Sequence, residues 1–174
     1  MEPQTSVSRR RLLLGAGIAV TGAVLAACAE PSFVLEPVAA APPPVKMQRL
    51  LLWLPPDDKA VDWPIFARQL ASVLAPYGVS VETGRSIRLS LSRSDDQKAA
   101  IASFDPTYRL EIDIADATSV GSGTVTAASI IVMGALYRGS SRTPVAKFHH
   151  HARSRTVPEL VPQLVEMFRK GGYL

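Results

Sequence analysis

Three consecutive histidines, His149-His150-His151, form the densest set of possible ligands or proton carriers in this 174-residue chain. On a strand, His149 and His151 project to one side and His150 to the other, so the run offers at most two imidazoles to one metal. A third ligand would have to come from Glu111 or Asp113, which alternate with apolar residues and share a face with Arg109. Two carboxylates at i and i+2 suit acid–base work, and they equally suit cross-strand ion pairs on a solvated face. The pattern Lys147-x-His149-x-His151-x-Arg153, opposite Phe148, reads as such a polar face. It would respond to pH, since histidine charges near pH 6.5. Asp57-Asp58 and Asp95-Asp96 stand where turns and helix caps use aspartate. Gly121-Ser122-Gly123 lacks the G-x-S-x-G spacing of a nucleophile elbow, and neither a phosphate-cradling loop nor a dinucleotide fingerprint occurs. The four polar groups Glu111, Asp113, His149 and His151 are therefore the only candidate site. No catalytic residue, metal site or cofactor is assigned, and the chain is expected not to be an enzyme.

The one cysteine, Cys28, excludes an internal disulfide and any multi-cysteine zinc or iron–sulfur centre. Its surroundings carry a different chemistry. Arg9, Arg10 and Arg11 form a basic head, and the sixteen residues from Leu12 to Ala27 carry no charge. As a helix they would span about 24 Å, short of the roughly 30 Å hydrocarbon core, and their Gly and Ala content weakens membrane affinity. This is the form of a signal peptide. Leu25-Ala26-Ala27-Cys28 resembles the lipobox of bacterial lipoproteins. The resemblance implies a diacylglyceryl group on the Cys28 thiol, fatty acylation, and cleavage just before that residue. Ser8-Arg9-Arg10-Arg11-Leu12-Leu13 resembles the twin-arginine export pattern, departing from it at Leu12 and Leu14; a general secretory route is the alternative. Ala29 is not the aspartate that retains many such lipoproteins in the inner membrane. That implies the outer membrane in a two-membrane organism, with the domain facing the periplasm.

Loss of residues 1–27 removes three arginines and Glu2, leaving 16 basic and 14 acidic side chains. The apparent net charge of +4 mostly disappears, and with it the case for nucleic acid binding. Residues 28–45 hold five prolines, including Pro42-Pro43-Pro44, and read as an extended tether after the lipidated cysteine. Fully extended, it would reach on the order of 50 Å.

The elements that must position the polar groups lie in one domain, residues 46–174. Arg49–Leu54 is a short apolar run ended by two prolines, hence a buried strand. Asp62 caps a helix with Trp63, Phe66, Leu70 and Leu74 at helical spacing, stopped by Pro76 and Gly78. Val79 and Val81 open a strand, and Ile87, Leu89 and Leu91 alternate like a further one. Ser94-Asp95-Asp96-Gln97 has capping-box spacing for a helix to Phe104. Strands follow from Tyr108 to Ile114, over residues 124–138, and from about Thr143 to Arg153, with a hairpin at Gly139-Ser140-Ser141. Thr156-Val-Pro-Glu159 is a second capping box before a last helix with Leu160, Leu164, Val165 and Phe168 inward. Trp53 and Trp63 read as core packing rather than an exposed aromatic patch.

This order predicts an α+β two-layer sandwich: one mixed or antiparallel sheet with helices packed on one face. In element order it is similar to small periplasmic lipoprotein domains, among them activators of peptidoglycan synthases, the amino-terminal domain of the Tol-system β-propeller protein and the curli-secretion lipoprotein. The expectation is a membrane-anchored envelope lipoprotein acting as a non-enzymatic adaptor or accessory subunit for an envelope protein. The alternatives are an auxiliary lipoprotein of lipid or lipopolysaccharide transport, and an exported hydrolase using the four polar groups.

Overall fold

The computed structural model describes residues 32–36, 38, 41–56, 61–85, 93–120, 127–153 and 159–174. The signal segment with Arg9 and Arg10, the lipidation residue Cys28, the strand expected around Ile87–Leu91, and Asp57-Asp58 lie outside them. Six strands, β1 (Ser32–Glu36), β2 (Arg49–Leu54), β3 (Ser80–Arg85), β4 (Tyr108–Val120), β5 (Ala127–Arg138) and β6 (Pro144–Arg153), form one sheet in the order β1-β6-β5-β4-β2-β3. Strand β2 is parallel to both β3 and β4, while the β4–β5, β5–β6 and β1–β6 pairs are antiparallel. The sheet is thus mixed and open, and the α+β class is as the element order predicts.

Helix α1 (Trp63–Leu74) begins where expected: the Asp62 carboxylate accepts from the Ile65 amide at 3.0 Å, and Pro64 occupies the first turn. A single 3₁₀ turn at Ala75–Tyr77 then ends in Gly78 at φ 76°, a left-handed conformation that glycine adopts without strain. Helix α3 (Leu160–Lys170) buries Leu160, Val161, Leu164, Met167 and Phe168. Glu159 is its N-cap and makes no side-chain capping bond, so the helix starts later than the Thr156 capping box predicts. Thr156 itself lies outside the described residues.

Helices α1 and α3 cover the sheet face carrying Leu50, Leu52, Tyr108, Leu110, Ile112, Ile130, Val132, Leu136 and Phe148, and together these form the core. Helix α2 (Arg93–Phe104) does not share that face, which corrects the expectation that all helices pack together. Its Gln97 amide donates to Glu111 at 2.8 Å, and Glu111 lies on the opposite face in register with Trp53. Connection rules supply the reason. The chain leaves β2 toward β3 through α1, then returns past β2 to β4 through α2. Two right-handed crossovers in opposite directions place their helices on opposite sides. Leu51 and Trp53, on the α2 side, are accordingly buried although they stand outside the main core. Trp53 and Trp63 both pack inside, as the sequence suggests, but on different faces.

A second difference concerns the segment read as a tether. Ser32–Glu36 forms an edge strand on β6, with Phe33 stacked on Phe148 at 5.1 Å between ring centroids. Further along, the Val45 amide donates to the Tyr108 hydroxyl at 2.9 Å and the Met47 amide to the Tyr173 carbonyl at 2.6 Å. Proline forbids a central strand, but an edge strand needs hydrogen bonds on one side only. The burial of Phe33 against Phe148 provides the driving force.

Candidate functional site

The face opposite α1 and α3 carries all four predicted polar groups, and strand register fixes their spacing. Asp113 pairs with Met133, and Met133 with His149; Glu111 pairs with Ala135, and Ala135 with Lys147. Strand β5 therefore separates the carboxylates of β4 from the histidines of β6, by about 10 Å at two strand spacings. The groups share a surface without meeting. His149 and His151 do adjoin, with ring centroids 5.6 Å apart, and His150 is buried on the other face beside Phe33. That division is the one period-two alternation predicts. Among the described residues no cluster of three or more His, Cys, Asp or Glu is arranged to hold a metal ion.

Each carboxylate is otherwise engaged. Glu111 Oε1 accepts from Arg109 Nε at 2.6 Å as well as from Gln97. The nearly buried Arg109 also donates to the carbonyls of Gly139 and Ser141, at 2.9 and 3.2 Å, and its guanidinium lies 4.5 Å over the centre of the Tyr137 ring. Arg109 thus fastens the β5–β6 hairpin to β4, and Glu111 with Gln97 fastens α2 to the same point. Burial, joined by the negative charge of Glu111 and opposed by Arg109, raises the pKa of the Tyr137 phenol above its ordinary value. Asp113 accepts from the adjacent Ile114 amide at 2.9 Å.

The partner of His149 is a residue that sequence reasoning did not single out. Glu36, at the end of β1, places Oε1 3.4 Å from His149 Nδ1, a contact that becomes an ion pair only when the imidazole is protonated. The signal available was Phe33-Val34-Leu35 between two prolines, a β-prone triplet too short to outweigh its flanks.

Around β1 the structure departs most from an ordinary protected sheet. Strand β1 ends the sheet, and its successive residues Val34 and Leu35 are 43% and 53% exposed on opposite faces. On the α3 side, Phe33, Leu35, Val145, Ala146, Met167 and Tyr173 line a largely apolar groove of about 590 Å³, with Glu166 and Lys170 at its rim. On the other side, Met133 is 46% exposed beside a smaller hollow of about 280 Å³ that Glu36, Asp113 and Lys147 also line. Residues of α3 and β1 face each other across the groove. At its rim Glu166 is bonded by Arg169 at 2.8 and 2.9 Å, which holds its pKa below the usual range, and it pairs with Lys170 at 3.3 Å. Among the described residues no strand pairs with the outer side of β1, which runs between this apolar groove and a hollow of mixed polar and apolar lining, an arrangement suited to adding a strand from another chain.

No protein-family model matches the chain, and no curated protein matches it. Among solved structures it is similar to the PelC dodecamer from Paraburkholderia phytofirmans, with a TM-score of 0.47 and 11% identity, over 71% of this chain and 82% of that one. A variant of the same dodecamer gives 0.46 and 12%. It is also similar to lipoprotein GNA1162 from Neisseria meningitidis, with a TM-score of 0.37 and 14% identity, over 70% of this chain and 95% of that one.

Proposed function

We propose that this chain is a lipid-anchored protein of the cell envelope, a non-enzymatic adaptor that takes a segment of a partner protein at its β1 edge. The membrane is engaged by acyl chains on Cys28, after removal of residues 1–27 by way of the twin-arginine-like signal. Anchorage at the outer membrane, facing the periplasm, follows from Ala29 by the same resemblance. Among the described residues no helix is long and apolar enough to cross a membrane.

The observation that carries the adaptor reading is the pair Val34 and Leu35, half-exposed on both sides of an edge strand. Exposed apolar edges are a liability unless a partner covers them, and natural sheets blunt theirs with charge, proline or bulges. Here Pro31 and Pro37 bracket the strand, confining the template to five residues, and Glu36 marks one end. A partner strand would gain backbone hydrogen bonds along β1 and place alternate side chains into the groove and the hollow. The engagement of Glu111 by Arg109 and Gln97 supports a binding role over hydrolysis.

A photo-crosslinking residue at Leu35, tested in cells, is expected to give a discrete product that the same residue at Ser141 does not. Leu35→Asp is expected to weaken capture by on the order of 10-fold or more, as for a central apolar contact. Equal crosslinking at both positions would dismiss the edge as the docking site. The groove also favours a second reading, an auxiliary role in lipid transport, because about 590 Å³ lies within the range of small-molecule clefts. Displacement of a fluorescent fatty acid by Met167→Arg would select that alternative. For the hydrolase reading, joint replacement of Glu111, Asp113, His149 and His151 by alanine with loss of a measurable turnover would be decisive.

A further inference from the structure

The position of β1 bears on how the domain meets the membrane, given the lipid anchor proposed above. Only residues 29–31 separate Cys28 from the first residue of β1, Ser32. Four residue steps reach at most about 14 Å, against the 50 Å of a free tether. We infer that the end of the β4–β5 pair at Val120 and Ala127 rests on the bilayer that holds Cys28, so that the lipid surface is itself a contact of the folded domain.

Register sets the levels. Ser32 lies beside His151, His151 beside Ile131, and Ile131 beside Asp116. The chain enters β1 at this level, travelling away from the hairpin end. Beyond it, β4 and β5 continue as an arm through the pair Val120 and Ala127, four further residue pairs, with β6 flanking the first two as far as Arg153 beside Ser129. At about 3.4 Å per residue the arm projects about 14 Å past Ser32, the same distance that residues 28–31 can span. The opposite hairpin at Gly139 lies about 27 Å from Ser32 in the other direction. Composition agrees with this placement. Neither strand carries a charged residue over Ala117 to Val120 or Ala127 to Ile130, and among the described residues the one charge that register sets beside these pairs is Arg153, a cation suited to an anionic headgroup layer.

The geometry also narrows the partner proposed for β1. The five-residue edge starts within about 14 Å of the bilayer, so the segment it takes belongs to a protein held at, or in, the same membrane.

The test uses the full acylated chain in phosphatidylethanolamine–phosphatidylglycerol vesicles that contain a headgroup-attached quencher. Acylation blocks the Cys28 thiol, so Thr118→Cys, Ser129→Cys and Ser141→Cys each supply a single site for a fluorophore. Quenching at positions 118 and 129 is expected to exceed that at 141 by about three-fold or more. Insertion of about 20 Gly/Ser residues after Cys28, which adds a coil of roughly 25 Å, is expected to abolish the difference. Two hairpin positions guard against one substitution that disturbs pairing. Vesicle-bound, acylated protein with equal quenching at all three sites would overturn the hairpin contact and leave the anchor standing. Protein that lacks the acyl mass and does not float with vesicles would overturn the anchor and this inference together.

Discussion

The residue that organises the polar face is Arg109, whose guanidinium ties β4 to the β5–β6 hairpin and, through Glu111 and Gln97, to α2. Its removal leaves two carbonyls and a half-buried carboxylate short of a donor, so Arg109→Ala is expected to lower stability by about 2–4 kcal/mol in urea unfolding. Arg109→Lys should recover little, because one ammonium nitrogen cannot span the three acceptors that Nε, Nη1 and Nη2 of the planar guanidinium reach separately. The raised pKa of Tyr137 has its own consequence. A phenol that holds its proton more tightly when folded contributes stability below the ordinary tyrosine pKa of about 10, and that contribution is lost as pH rises through the folded value. Stability is therefore expected to fall at alkaline pH more steeply in the native chain than in Tyr137→Phe, as followed by phenolate absorbance and circular dichroism together. Gly134 is a further sensitive point, since a β-carbon there would collide with the Phe148 ring. Gly134→Ala is expected to destabilise by about 1–3 kcal/mol, unless Phe148 swings out and releases Phe33 with it.

At the level of elements, the legibility of the sequence followed how local each cause is. Helix α1 could be read because its cap, its proline and its apolar spacing all lie within the helix, and β4 because its alternation is strict. The face occupied by α2 could not, because it depends on strand order: β4 returns to the far side of β2, and no local pattern records that. Strand β1 was hidden for a related reason. Its stability comes from Phe148, more than a hundred residues away, while its immediate neighbours are prolines that argue for a tether. The candidate histidines were placed correctly on their faces by period-two alternation, yet their distance from Glu111 and Asp113 depended on β5 lying between. The β1 assignment has a direct check in amide hydrogen exchange. Amides in residues 33–36 bonded to β6 are expected to be protected, and Phe33→Ala should erase that protection while leaving the β4–β5 amides slow. Exchange at the rate of an unstructured chain in the native protein would restore the free-tether view.

For the whole molecule, the two sides of β1 and the short link to Cys28 combine into one arrangement. In the arrangement proposed, a lipid fixes the chain at a surface, the sheet's open edge begins close to that surface, and the apolar groove beside α3 faces whatever shares it. Each part depends on Cys28 being the acylated first residue of the mature chain. Mass spectrometry of the N-terminal peptide, taken from protein purified from the membranes of its native host, tests that directly. The account predicts a peptide that begins at Cys28 and carries the mass of a diacylglyceryl thioether. A mature chain that begins at any other residue, or a Cys28 recovered as a free thiol, would contradict it.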